Sequence, residues 1–260
     1  MKHLSILFLS CFIFSTNVNA MKKEIEIKFT LEPEKHMTFE KWLEENAQFK
    51  GVEQHEEVYL NNPERSFFFD CEEGFKDAHV TMRLRSKIMG DKRKDLFCSK
   101  ICHVDAQNRT VSRDEYEIDL SQEGMHENLK LWLEGKGYEN FQEKFNNVQQ
   151  LTKVSLTNFF KMLGFTDVYE LKKERKIYLS GDFEIALDTL SGIGSFIEIE
   201  LKSDEQDVVT GTQLIHEFLK KVGITQFVQY DRSYLHMVVN PEYNFGLKMN
   251  IATDFSAHKE

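Results

Sequence analysis

The chain has 260 residues, 41% of them hydrophobic, with 13 Gly and only 3 Pro. That composition excludes collagen-like, low-complexity and disordered chains, and suits one large folded domain or two small ones. Against 33 Lys and Arg stand 43 Asp and Glu, a net charge of −10 that argues against a general nucleic-acid binder but not against a local basic pocket.

Residues 1–20 carry Lys2 and His3, an apolar stretch from Leu4 to Phe14, and a polar end at Val18-Asn19-Ala20. This is a signal-peptide pattern, with export to the periplasm or outside as its consequence. A true start at Met21 gives nearly the same folded chain in the cytoplasm. The apolar stretch is too short to span a membrane, and nothing later approaches the roughly 20 residues required, so no stable membrane span is expected.

Beyond the leader, period-two runs predict strands at 23–30, 54–60, 79–88, 95–103, 110–120, 169–179, 182–190 and 195–202. Helical patterns fall at 33–48, 122–135, 140–163 and 205–222, with a short final helix at 231–239. Gly90-Asp91 and Gly181-Asp182 mark hairpins. The block 122–163 reads as a helical excursion between two groups of strands, and 241–260 as a loose tail. Of Cys11, Cys71, Cys98 and Cys102, the last two share one strand with Cα atoms about 13 Å apart, beyond the roughly 7 Å that a disulfide allows. The histidines, His55 among them, show no metal spacing and read as surface or packing positions. Phe67-Phe68-Phe69 reads as core, Lys92-Arg93-Lys94 as a solvated hairpin tip, and Trp42 and Trp132 as parts of helices that cover the sheet.

Alternation puts every second strand residue on one face. One face carries Glu24, Glu26 and Lys28; Arg83 and Arg85; Lys100; Arg113, Glu115 and Glu117; Lys173 and Arg175; Glu184 and Asp188; and Glu198, Glu200 and Lys202. The opposite faces are apolar, as in Ile25, Ile27 and Phe29 or Ile197, Ile199 and Leu201, and need a cover of helices. Enough strands are present to curl into a barrel, apolar outside and charged inside. Buried charges must be paired or met by a ligand. Clustered Arg and Lys suit a compact polyanion such as a triphosphate, and carboxylates two residues apart suit Mg²⁺ or Mn²⁺.

The ordered motifs resemble the CYTH superfamily, the triphosphate tunnel metalloenzymes. They are Glu24-x-Glu26-x-Lys28, Arg83-x-Arg85, Lys100, Arg113-x-Glu115-x-Glu117, Lys173-x-Arg175 with Tyr178, Asp188 with Gly192-Ile193-Gly194 and Glu198-x-Glu200, and Ser233-Tyr234. The stretch Glu170–Leu201 is most similar to class IV adenylate cyclases; thiamine triphosphatases are also similar. The family's acidic position on the second strand, usually Asp, falls at Glu57.

The resemblance implies an α+β fold: an eight-stranded antiparallel β-barrel with a charged lumen, flanked by helices. It implies a single domain over 21–240, with 122–163 as an insertion. Glu24, Glu26, Glu117, Asp188, Glu198 and Glu200 are then the metal ligands. Lys28, Arg83, Arg85, Lys100, Arg113, Lys173 and Arg175 hold phosphates, and Lys28, Lys100 and Glu115 are the catalytic candidates. The implied partner is a small-molecule triphosphate, with a second copy of the chain as an option for assembly. The implied reaction is conversion of ATP to cyclic AMP and pyrophosphate. Alternatives are hydrolysis of inorganic or thiamine triphosphate, and a non-catalytic polyphosphate-binding module.

Overall fold

A computed structural model describes residues 22–61, 79–104, 111–135, 141–202 and 207–252. The leader and Phe67-Phe68-Phe69 lie outside them. The chain forms β1 (Lys22–Thr30), α1 (Pro33–Asn46), β2 (Gln48–Asn61), β3 (His79–Met89), β4 (Lys92–Val104) and β5 (Val111–Asp119). There follow α2 (Met125–Gly135), α3 (Gln142–Asn146), α4 (Lys153–Met162), β6 (Thr166–Ser180), β7 (Phe183–Leu190) and β8 (Gly194–Leu201). Last come α5 (Val208–Lys221), β9 (Gln226–Tyr230), α6 (Tyr234–Val239) and β10 (Gly246–Asn250).

The strand pairings are antiparallel, in the order β10-β9-β1-β5-β4-β3-β2-β6-β7-β8. The expected eight-stranded barrel is therefore corrected. The described sheet has ten strands, and β10 leaves it with an open edge. The extra strands come from 226–230, where no strand is expected, and from the tail, which is not loose over 246–250. Both are only five residues long, and in β10 Gly246, Lys248 and Asn250 dilute the alternation that would reveal them. β1 also pairs β8 over Ile25–Phe29, so the sheet curls until its last strand meets its third. At the β6–β7 hairpin, Gly181 takes φ +59°, a left-handed conformation that suits glycine.

The helical excursion forms two helices where one was expected over 140–163. α3 ends at Asn146, and the chain restarts at Thr152, whose hydroxyl accepts from the Ser155 amide in a capping box. α2 and α4 bury Leu129, Trp132, Phe159 and Phe160 on the apolar face that carries Met82, Leu84, Phe97 and Ile118. On the other side, α1 and α5 bury Phe39, Leu43, Ile215 and Leu219 on Ile25, Ile27, Ile197 and Ile199. The helices thus cover the outer face of the sheet, as the alternation predicts.

α5 approaches β1 at Gly211, where an added Cβ would stand 2.6 Å from Ile25 Cδ1. Gly211→Ala is expected to cost about 1–3 kcal/mol through overpacking, read as a lower denaturant midpoint. An unchanged midpoint would mean that this contact relaxes freely.

Candidate functional site

The charged faces converge. One cavity of about 460 Å³ is lined by Glu26 and Lys28 of β1, Arg83 and Arg85 of β3, and Lys100 of β4. Glu115 and Glu117 of β5, Lys173 and Arg175 of β6, and Glu198 and Glu200 of β8 complete the expected set. Strand alternation brings them together from β3, β4, β5, β6 and β8 and from β1, which β8 and β5 flank. Glu24 and Arg113 face each other in the β1–β5 register, but their side chains lie outside the described residues. Asp188, expected as a metal ligand, is buried behind the lining.

Three networks hold the wall. In the first, Asp188 accepts from Arg175 Nε at 2.6 Å, from Lys173 Nζ at 3.0 Å and from the Tyr234 hydroxyl at 2.8 Å. Arg175 also donates to Glu198, which lies 3.2 Å from Lys28 Nζ. Lys28 sits 4.1 Å from the centre of the Tyr234 ring, a cation–π contact. Burial pushes the Asp188 carboxyl up, but Arg175 and Lys173 outweigh it and hold it below the usual 3.8. Burial and Arg175 lower Lys173, against the pull of Asp188, Glu198 and Glu57. Leu171, Leu190 and Phe196 pack with Tyr234 and Leu235 of α6 in an apolar cluster that adjoins this network.

The second network centres on Glu57, which is 2% exposed. It lies 2.8 Å from Arg85 Nε and 3.3 Å from Arg83 Nη1, and it accepts from the Tyr59 hydroxyl at 2.7 Å. Desolvation works to raise its carboxyl, yet Arg83, His55 and Lys173 hold it well below the usual carboxylate range. The third network joins Lys100 to Glu115 at 3.1 Å, Arg83 to Glu115 at 3.8 Å and Lys87 to Glu117 at 3.8 Å.

Two carboxylate arrangements bear on metal binding. Glu26 faces Glu200 across β1–β8, and Glu200 faces Glu184 across β7–β8. Like charges directly opposite are destabilising unless a cation meets them. Lys202 answers in part, 2.7 Å from Glu200 and 3.5 Å from Glu184. Elsewhere Cys98, Glu115 and Glu117 bring ligand atoms within 4.8 Å of one another. Burial raises the Cys98 thiol, so the thiolate that binds metals is disfavoured there and the carboxylates are the better hard-ion ligands.

Sequence reasoning left out Glu184 and Lys202 as site residues, although both stand on the same alternating faces. It also read His55 as a surface or packing residue. The residue is 1% exposed, with its Nε2 2.6 Å from Glu53. The spacing Glu53-x-His55-x-Glu57-x-Tyr59 was a usable signal.

Fold and site together define an α+β protein with an ion-lined cavity in a curled antiparallel sheet. The CYTH domain family model matches residues 22–234, and the chain belongs to that family. Adenylate cyclase CyaB of Aeromonas hydrophila is similar to it, 27% identical over 107 residues that make 41% of this chain and 54% of that protein. A candidate adenylate cyclase of Methanocaldococcus jannaschii is 33% identical over 86 residues, 33% of this chain and 49% of that protein. The chain spans about half the length of these curated relatives. Among solved structures, the PH1819 protein of Pyrococcus horikoshii OT3 shares the fold, with a TM-score of 0.59 at 23% identity over 84% of this chain and 99% of that one. Among the described residues, no helix is long and apolar enough to cross a membrane.

Proposed function

We propose that the protein is a metal-dependent enzyme acting on the triphosphate of a nucleotide, converting ATP to cyclic AMP and pyrophosphate. One observation carries the reading: Lys28, Arg83, Arg85, Lys100, Lys173 and Arg175 line a single cavity that also holds an unusual row of facing carboxylates. The volume is within the ~300–1,000 Å³ of small-molecule sites. The names of the similar cyclases support the choice of substrate.

The arginines suit forked contacts to phosphate oxygens, and the lysines act as point charges. Glu26 and Glu200, with Glu184 beside them, fit Mg²⁺ or Mn²⁺, since a divalent cation relieves their mutual repulsion. Such an ion, when bound, neutralises phosphate charge and polarises a phosphoryl oxygen. In the cyclisation, the ribose 3′-oxygen bonds to the α-phosphorus, the bond to pyrophosphate breaks, and the hydroxyl proton must be taken up. We assign that uptake to Glu115, a carboxylate of the cavity wall beside Lys100 and Arg83. Catalysis is then mainly positioning and charge stabilisation.

A second reading, hydrolysis of inorganic or thiamine triphosphate, is favoured by the character of the lining. Among its described residues, the side chains are charged or hydroxyl-bearing except Ala186, and only the rings of Tyr59, Tyr116 and Tyr234 offer a base a flat face.

Purified protein with Mg²⁺ or Mn²⁺, offered ATP, tripolyphosphate and thiamine triphosphate, separates the readings. Cyclic AMP is the expected product. Orthophosphate without cyclic AMP would replace the cyclase by a triphosphatase. Tight binding of tripolyphosphate without turnover would leave a polyphosphate-binding module.

A further inference from the structure

We propose that His55 is a positioning residue for the phosphate-facing arginines, acting through Glu57; the proposal rests on the triphosphate reading above. Arg83 and Arg85 line the cavity, whereas Glu57 stands behind them in contact with both. The place of that carboxylate therefore sets where the two guanidinium groups point. Tyr59 fixes Glu57 from one side, through a 2.7 Å hydrogen bond to Oε2.

His55 stands on the other side. Its Nδ1 is 3.7 Å from Glu57 Oε1 and has no hydrogen-bond partner among the described residues. Its Nε2 is anchored 2.6 Å from Glu53, which sets the plane of the ring. This is not a packing histidine in an apolar core, because its cross-strand neighbours are Lys87 on β3 and Lys173 on β6. A ring held between two carboxylates, in a field of lysines, limits how far Glu57 can follow its arginines when a polyanion draws them into the cavity. At metal sites, groups that orient the ligating side chains from behind are worth about 10–100-fold, and the low end of that range is taken for this arginine pair.

Tripolyphosphate binding to the full chain with Mg²⁺, measured by titration calorimetry, tests this. His55→Leu is expected to weaken binding about tenfold. His55→Asn, whose amide takes the position of Nδ1 beside Glu57, should recover most of the loss. In a Glu57→Gln background the histidine has lost its charged partner, and His55→Leu should add about twofold or less. Equal losses from His55→Leu in both backgrounds, or no loss in the native one, would overturn the proposal, since a purely packing role is blind to Glu57. Should His55→Leu fail to fold, His55→Gln, whose amide takes the position of Nε2 beside Glu53 and leaves that of Nδ1 empty, is carried through the same cycle. A native protein that does not bind tripolyphosphate at all would remove the triphosphate reading, and this inference with it.

Discussion

Replacing Glu26 and Glu200 together by glutamine is expected to lower metal-dependent turnover by more than about 100-fold while making the metal-free protein more heat-stable. The two effects have one origin. Glu26, Glu200 and Glu184 lie directly opposite one another on β1, β8 and β7, and Lys202 contacts Glu200 and Glu184. Facing like charges cost each pair a fraction of about 1 kcal/mol, which the protein retains because a cation needs those oxygens. Glutamine removes the repulsion and most of the ligand strength at similar side-chain volume.

The measurement is differential scanning calorimetry with and without Mg²⁺, run beside the turnover assay. The native protein should gain midpoint on adding Mg²⁺, as any ligand of the folded state produces. The double variant should start about 2 °C higher without metal and gain nothing from it. A double variant that keeps its activity would move the metal away from this row, with Glu115 and Glu117 as the next candidates.

The charged bore was legible because a strand exposes its chemistry at every second residue. Glu26-x-Lys28, Arg83-x-Arg85, Lys173-x-Arg175 and Glu198-x-Glu200 each declared a face, and the apolar residues between them required a cover that the helices supply. What pattern could not show was depth within that face. Asp188 and Glu198 both stand on inward-facing positions, yet one is sealed beneath Lys173, Arg175 and Tyr234 while the other reaches the cavity. That difference depends on how side chains of the hairpin partner β6 reach across to Asp188, and on Tyr234 of α6, which lies far from it in sequence. His55 escaped for a similar reason: its two lysine neighbours come from β3 and β6, and only pairing reveals them. β9 and β10 escaped because five residues carry too little periodicity; β9 is placed by pairing to the end of β1, and β10 by pairing to β9.

The burial of Asp188 leads to the largest expected loss of stability. Its carboxylate is 1% exposed and meets Lys173, Arg175 and the Tyr234 hydroxyl together. Asp188→Asn keeps the shape and removes the charge, leaving a buried lysine and arginine with Glu198 as their nearest shared counter-charge. Breaking a buried pair by neutralising one partner costs about 3–5 kcal/mol, against about 1 kcal/mol or less for an exposed one.

The pH dependence gives the loss a signature. The folded-state value of Asp188 lies below the ordinary 3.8, so the unfolded chain takes up its proton first as pH falls. The stability that ionised Asp188 contributes is therefore fully present above about pH 5, and declines as pH drops below 3.8 and through the folded value. The gap between native and Asp188→Asn unfolding free energies, from denaturant titrations at several pH values, should be wide and flat from pH 7 to 5 and should narrow below 4. A gap that stays constant into acid would show that the asparagine is tolerated poorly for its shape or hydrogen bonding rather than for its missing charge. Since Arg175 lines the cavity and takes its orientation from Asp188, the same variant should also bind tripolyphosphate more weakly at pH 7, although the substituted side chain lies behind the lining.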